Sequence, residues 1–138
     1  MTAIAVSLPA ATLPRTFVAH NGNAGDDCSR AHPCLTFSGA AVNTSSGGEI
    51  DVLDSGEYGP LTTSQDLTID GLGNIAVGSN ITADVGNLTI RNIKMESTGI
   101  LILGSTFSKL RLEHVVIRAD TTGGGNLDTG VKTVTRLC

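Results

Sequence analysis

The stretches Leu67-Thr68-Ile69-Asp70-Gly71-Leu72, Leu88-Thr89-Ile90-Arg91-Asn92-Ile93 and Leu110-Arg111-Leu112-Glu113-His114-Val115 are three copies of one short unit, and they begin 21 and 22 residues apart. Each copy has apolar residues at its first, third and sixth positions and a charged residue at its fourth. Alternating apolar residues indicate a strand with one buried face. A strand that recurs at this period is typical of a chain wound into a solenoid.

The spacing of the copies also suits parallel strands, which need a connection of about a dozen residues or more. Further apolar stretches follow at 93–95 and 100–103, an earlier coil begins near Ile50, and 131–134 has the place of a last third strand. At Gly73-Asn74 the pattern is broken, and we expect a bulge or a shifted strand there. We therefore predict an all-β fold, a short parallel β-helix that is a single-stranded solenoid of about four coils from about residue 49 to residue 134.

The fifth position of the unit holds Gly71, Asn92 and His114. Glycine has no steric penalty at positive φ, and Asn and His are among the other residues enriched there. Three such residues in one column predict a left-handed corner between two strands of each coil.

The fourth position holds Asp70, Arg91 and Glu113, so charges of alternating sign form a ladder on strands about 4.8 Å apart. We interpret this ladder as a device for register and solubility. A glycosidase pair of carboxylates needs a separation of about 5–9.5 Å across a cleft, and an arginine between them would keep both ionised. We therefore predict no catalytic residues here.

A short helix is predicted near 35–43, before the coils. Thr36 is a suitable N-cap, and Phe37, Ala40 and Ala41 share one face. A solenoid must cover its core at each end, so we expect this helix to cover the first coil.

The other end has no such cover. The last coil would expose Leu110, Leu112, Val115 and Ile117, and its unpaired backbone is a template for another chain. We expect a homo-oligomer, most simply a dimer, formed through this coil. The alternative is that the tail 133–138 folds back over it.

The cysteines bear on compartment. Cys28 and Cys34 flank a short loop that contains a proline, and we expect a disulfide, which implies an oxidising compartment. A metal pair with His32, or two free thiols, are the alternatives. We interpret Cys138 as a reactive free thiol and not as a structural element. Residues 1–14 are apolar but contain no Lys or Arg, so they form an N-terminal tail or a signal remnant. Export to the periplasm or the exterior is the expectation, with a cytoplasmic location as the alternative.

The densest acidic region contains Asp51, Asp54 and Glu57, followed by Tyr58. Several carboxylates suit a calcium or sugar site, but the spacing matches no calcium loop, and Gly and Pro nearby indicate an ordinary turn. These four residues are the candidate ligand site. We expect no bound metal and no cofactor. His20 and His32 have no acid or nucleophile at a useful spacing.

Composition narrows the function classes. The chain has 138 residues and a net charge of -4, so it has no general attraction to nucleic acid or to an anionic membrane. Three Phe, one Tyr and no Trp supply few rings on which sugars or bases stack. We expect one domain, residues 15–138.

Several N-terminal stretches resemble small bacterial right-handed parallel β-helix proteins of the pectate-lyase-like superfold. They are Arg15-Thr16-Phe17-Val18, Cys28-Ser29-Arg30, Pro33-Cys34, Thr36-Phe37, 47–53 and Tyr58-Gly59-Pro60. The resemblance implies a right-handed, exported protein whose last coils are missing. The enzymes of this superfold cleave polysaccharides, but none of their motifs places an acid or base here.

Two functions follow as expectations. The first is a non-catalytic β-helix protein that serves as a structural, surface or interaction module. The alternative is a polysaccharide-binding or polysaccharide-cleaving protein, lyase-like or hydrolase-like, or a truncated remnant of one, which depends on superfold analogy alone.

Overall fold

The computed structural model describes residues 12–77, 81–83, 86–97, 102–104, 109–119 and 132–134. Within them, short strands dominate and one helix is present. The elements in chain order are β1 (Leu13–Val18), α1 (Phe37–Asn43), β2 (Thr44–Val52), β3 (Gly56–Glu57), β4 (Leu61–Thr63), β5 (Leu67–Asp70), β6 (Ile75–Val77), β7 (Ile81–Ala83), β8 (Asn87–Ser97), β9 (Ile102–Gly104), β10 (Lys109–Ala119) and β11 (Lys132–Val134).

The strands form a curled, mostly parallel arrangement. The main sheet runs β1-β2-β5-β8-β10-β11, and β3 and β6 join it at the side of β8. A small parallel sheet has the order β4-β7-β9. Only β10 and β11 pair antiparallel among the described strands. No helix in the described part of the chain is long and apolar enough to cross a membrane.

The three copies of the repeated unit stack in one register, as predicted. Leu67 pairs with Leu88, and Leu88 pairs with Leu110. The residues at the third position of the unit are buried, and Ile50 of β2 extends their column. The apolar column is therefore the core of the sheet.

Each long strand turns a corner without ending. We predicted two separate strands joined by a left-handed corner at Asn92, but β8 is continuous through that point, and Asn92 has φ 52°. Ile90 is buried before the corner and Ile93 after it, so one left-handed residue shifts the alternation by one position. His114 has φ 51° and does the same in β10.

Gly71 does not adopt the left-handed conformation, and this part of the corner prediction is wrong. The positive φ falls one residue later, at Leu72 with φ 51°, and Gly73 follows with φ 85°. A Cβ on Gly71 would lie 2.4 Å from the Cβ of Ile93. Glycine is therefore required here by close packing. The strand that follows is shifted, as expected, because Ile75 pairs with Lys94.

The helix α1 covers one end of the core. The side chain of Thr36 accepts a hydrogen bond from the backbone N–H of Gly39 at 3.0 Å, which is the predicted N-cap. Phe37 is fully buried and its ring centroid lies 5.3 Å from that of Tyr58. The helix therefore covers the core at the end of the sheet where β1 lies.

At the opposite end, β11 differs from the prediction. We expected 131–134 to form a third strand of the last coil, but Lys132–Val134 pairs antiparallel with Val115–Ile117 of β10. The predicted third strand at 100–103 is represented by β9, which pairs with β7. Residue 131 and the tail 135–138, with Cys138, lie outside the described residues.

Substitution of Ile90 and its neighbour tests the register. Ile90→Asp places a carboxylate at a fully buried position, which costs several kcal/mol of unfolding free energy, about the whole stability of a domain of this size. Thr89→Asp, at a half-buried position on the opposite face, is expected to be tolerated. Thermal unfolding followed by circular dichroism distinguishes them, and equal melting temperatures would show that the register is wrong.

Candidate functional site

The face of the sheet opposite the core carries two columns of residues that, apart from Phe17, are polar or charged. They occupy alternate positions of β1, β2, β5, β8 and β10, and the strand pairing sets them side by side. One column is Arg15, Glu49, Thr68, Thr89 and Arg111, and the other is Phe17, Asp51, Asp70, Arg91 and Glu113.

Arg91 is the centre of this charged face. Its Nε donates to Asp70 at 2.7 Å and its Nη2 donates to Glu49 at 2.9 Å. Glu113 instead pairs with Arg111 of its own strand. The predicted ladder therefore holds between Asp70 and Arg91, but its next contact runs to Glu49 on β2 and not to Glu113 on β10.

Asp70 is fully provided with hydrogen-bond donors. Besides Arg91, the backbone N–H of Leu72 donates to it at 2.9 Å and the side-chain amide of Asn92 at 3.2 Å. Burial acts to raise the pKa of Asp70, but these donors outweigh it and the pKa lies below its usual value. Asp70 is therefore an ionised structural carboxylate.

Asp51 lies next to Asp70 in the same column but has few partners. It is 4% exposed, its nearest cation is Arg15 at 3.7 Å, and its Oδ1 has no hydrogen-bond partner among the described residues. Burial, with the neighbouring Glu49 carboxylate, raises the pKa of Asp51 to about 6. The carboxyl group of Asp51 therefore keeps its proton to a higher pH than an ordinary aspartate.

The two aspartates predict opposite effects of removing charge. Because the folded pKa of Asp51 is above its unfolded value of about 3.9, its contribution to stability is present below that value and is lost as pH rises through about 6. Asp51→Asn should raise the unfolding free energy at pH 8 by about 1–3 kcal/mol and flatten its pH dependence between pH 4 and 6.

Asp70→Asn is the matched comparison. Because the folded pKa of Asp70 is lowered, its carboxylate stabilises the fold at pH values above the unfolded pKa. Removal of this carboxylate should lower the unfolding free energy at pH 8 by about 1–3 kcal/mol. Urea unfolding of both variants at pH 5 and pH 8 measures this. A destabilised Asp51→Asn at pH 8 would show that Asp51 is not strained by its charge.

A second cluster lies at the edge of the sheet where β1 and β2 end. His20 Nδ1 is 2.5 Å from Asp54 Oδ2, and the backbone N–H of His20 donates to Oδ1 at 2.8 Å. The hydroxyl of Tyr58 lies 2.5 Å from the same Oδ1 and also within hydrogen-bond distance of the backbone carbonyl oxygen of Asp54, so its one proton is shared between these two acceptors. The carboxylate therefore fixes the imidazole, and the buried Tyr58 fixes the carboxylate.

The electrostatics of this cluster keep Asp54 charged. Burial acts to raise the pKa of Asp54, but hydrogen bonds from Tyr58 and His20 lower it below its usual value. Burial and the nearby carboxylate raise the pKa of Tyr58, so its hydroxyl stays protonated and donates. A Cβ on Gly56 would lie 2.9 Å from the Cβ of His20, so glycine leaves room for the ring.

The four candidate ligand residues do not form one site. Asp54 and Tyr58 contact each other, whereas Asp51 lies on the charged face and Glu57 is exposed on β3. No group of three or more His, Cys, Asp or Glu in the described ranges is placed to hold a metal ion.

The sequence prediction missed the role of His20 because its acid is 34 positions away in the chain. The signal lies in the strand pairing. Val18 pairs with Val52, and His20 and Asp54 each follow two residues later. A pairing of 15–18 with 49–52 would have found them.

The loop that contains Cys28 and Cys34, here called the cysteine loop, covers the edge of β1 that does not pair with β2. Cys28 and Cys34 lie at disulfide distance with their Cα atoms 4.7 Å apart, and both are buried. The N–H of Phe17 donates to the carbonyl of Cys28 at 2.8 Å, and the N–H of Cys34 donates to the carbonyl of Phe17 at 2.9 Å. When Cys28 and Cys34 are paired with each other, their sulfur atoms cannot bind a metal ion together with His32.

Comparisons of the chain with protein-family models, with curated proteins and with solved structures found no match.

Proposed function

We propose that the chain is a short right-handed parallel β-helix of the pectate-lyase-like kind that serves as a non-catalytic structural, surface or interaction module. The in-register stacking of β5, β8 and β10 at the period of the sequence repeat supports a coiled arrangement. The many internal ion pairs of the charged face support a structural role for it.

The observation that carries the interaction role is the difference between the two ends of the main sheet. The cysteine loop and α1 cover the end at β1. At the other end, β11 pairs with the second half of β10, and the described residues contain no other strand beside β10 on that side. Lys109–Glu113 has β8 on one side, and no described strand pairs with its other side. An edge of this kind is a template for another strand.

We propose that a second copy of this chain pairs with that edge, as in a two-fold dimer. Antiparallel pairing centred on Arg111 sets Lys109 opposite Glu113 of the second copy, and Leu110 opposite Leu112. Both opposite-charge pairs and apolar pairs across strands are stabilising. The like charges at Arg111 are offset because each Arg111 is already paired with Glu113 of its own strand.

Charge reversal at the edge tests this dimer. Lys109→Glu places two carboxylates opposite each other at both ends of the pairing, and we expect the dissociation constant to rise about tenfold. Arg30→Glu is the control, with the same charge change at an exposed site on the cysteine loop, and should leave it unchanged. Multi-angle light scattering with reductant, which removes any dimer joined only by Cys138, measures the mass. A strictly monomeric wild type at tens of micromolar would defeat the idea.

A location outside the cytoplasm is part of the proposal. The buried Cys28–Cys34 pair at disulfide distance supports it, because disulfides persist in oxidising compartments.

The alternative function is action on a polysaccharide, and the burial of the Asp51 carboxyl group favours it. A buried carboxyl with a pKa of about 6 is suited to a general acid. Two contacts speak against this function. Arg91 already binds Glu49 and Asp70, the carboxylates beside Asp51 that would have to act with it. The guanidinium of Arg30 lies 5.9 Å from the centroid of the Phe17 ring, so this ring already has a partner in place of a sugar.

A screen against acidic and neutral polysaccharides, with and without calcium, separates the two functions. Chain cleavage by the wild type that is absent from Asp51→Asn and from heat-killed protein would establish the alternative. No cleavage by any sample is the expected result for a non-catalytic module.

A further inference from the structure

His20 differs from the other histidines of the chain in its surroundings. The chain has three, and His20, His32 and His114 are all exposed. Among the described residues, only His20 has a carboxylate hydrogen-bonded to a ring nitrogen. His32 interacts electrostatically with Asp27, whereas no hydrogen bond or ion pair of the described residues involves the ring of His114. His114 is therefore the internal reference for the effect of Asp54.

The contact with Asp54 fixes which ring nitrogen is free. Nδ1 faces an ionised carboxylate at 2.5 Å, so Nδ1 carries the proton in the neutral ring. Nε2 then holds the lone pair, and it makes no hydrogen bond with the described residues. The side chain of His20 is 63% exposed, so Nε2 is open to solutes.

Several contacts hold Asp54 against the ring. Its Oδ1 accepts a hydrogen bond from the backbone N–H of His20 and lies 2.5 Å from the buried hydroxyl of Tyr58, while Oδ2 faces the imidazole. His20 and Asp54 both lie two positions beyond the last pair of two hydrogen-bonded strands, which are rigid supports. A carboxylate held in this way orients an imidazole and stabilises positive charge on it.

We propose that His20 is a nucleophilic acceptor site for neutral activated acyl compounds, such as anhydrides and activated esters. The Nε2 lone pair adds to the carbonyl carbon, and the bond from that carbon to the leaving group breaks with its electron pair going to the leaving group. Asp54 balances the positive charge on the acylated ring. The Nδ1 proton then passes to solvent, which leaves the neutral acylimidazole.

The charges at the site favour a neutral acyl group over a phosphoryl group. In the described residues, His20 is the ion-pair partner of Asp54, and no Lys or Arg pairs with either. A phosphoryl dianion would add negative charge beside this carboxylate with no cation to offset it. The site goes beyond the proposed structural role and does not depend on the dimer.

Diethyl pyrocarbonate, a neutral acyl donor, tests the proposal. The rate of modification at each histidine is measured by mass spectrometry of peptides, on the pH plateau where that rate no longer rises. We expect His20 to react about tenfold faster than His114, which is the size of one charge-assisted hydrogen bond acting on the transition state. Equal or slower reaction at His20 in the wild type would overturn the proposal without any variant.

Two variants test the part played by the carboxylate. Asp54→Asn keeps the shape and an acceptor oxygen but removes the charge, and should lower the rate at His20 to that of His114. Tyr58→Phe leaves the charge but removes one anchor of Asp54, and should give an intermediate rate. Asp26→Asn is the control, because Asp26 lies six positions further along the chain and makes no hydrogen bond or ion pair with His20, and it should have no effect. A fast His20 that is unaffected by Asp54→Asn would overturn the role of Asp54.

Discussion

The parallel register between successive strands is the constraint on which the rest of the structure depends. It aligns Ile50, Ile69, Ile90 and Leu112 in one buried column. A slip of one residue would exchange the two faces, and it would bring Asp70 and Arg91 into the core. The same pairing that forms the core therefore also assembles the charged face, so core and surface cannot change independently.

The corner is the second element of this design, and it is built in two ways. Asn92 and His114 adopt the left-handed conformation themselves, at a cost of about 1–2 kcal/mol each. Buried residues on both sides of the corner offset that cost, since the shifted alternation turns Ile93 and Val115 inward. Asn92 also donates to Asp70, so the corner of one strand stabilises the charge on the preceding one. The residue at the corresponding position of the first copy of the unit is Gly71, and it must be glycine because Ile93 lies too close for a side chain.

These particulars explain which features could be predicted from the sequence. The repeated strands, the N-cap at Thr36 and the left-handed residues at Asn92 and His114 follow from local patterns, and local patterns are visible in a sequence. The contact between His20 and Asp54 depends on the pairing of β1 with β2, and β1 has no repeat to identify it. The antiparallel return of β11 depends equally on a contact between distant segments. Gly71 was misjudged because a close approach and a positive φ both select glycine, and only the neighbouring strand distinguishes them.

Asp51 and Asp54 show why the acidic region did not form one ligand site. They are three residues apart, but the end of β2 lies between them. Asp51 stays on the charged face, where it lacks donors and its pKa rises. Asp54 passes beyond the strand end, where Tyr58 and the backbone of His20 supply donors and its pKa falls. Burial acts to raise the pKa of both, so the number of donors decides the sign. A cluster of acids in a sequence therefore indicates a shared site only when the strand ends bring their side chains to one point, and here they separate them.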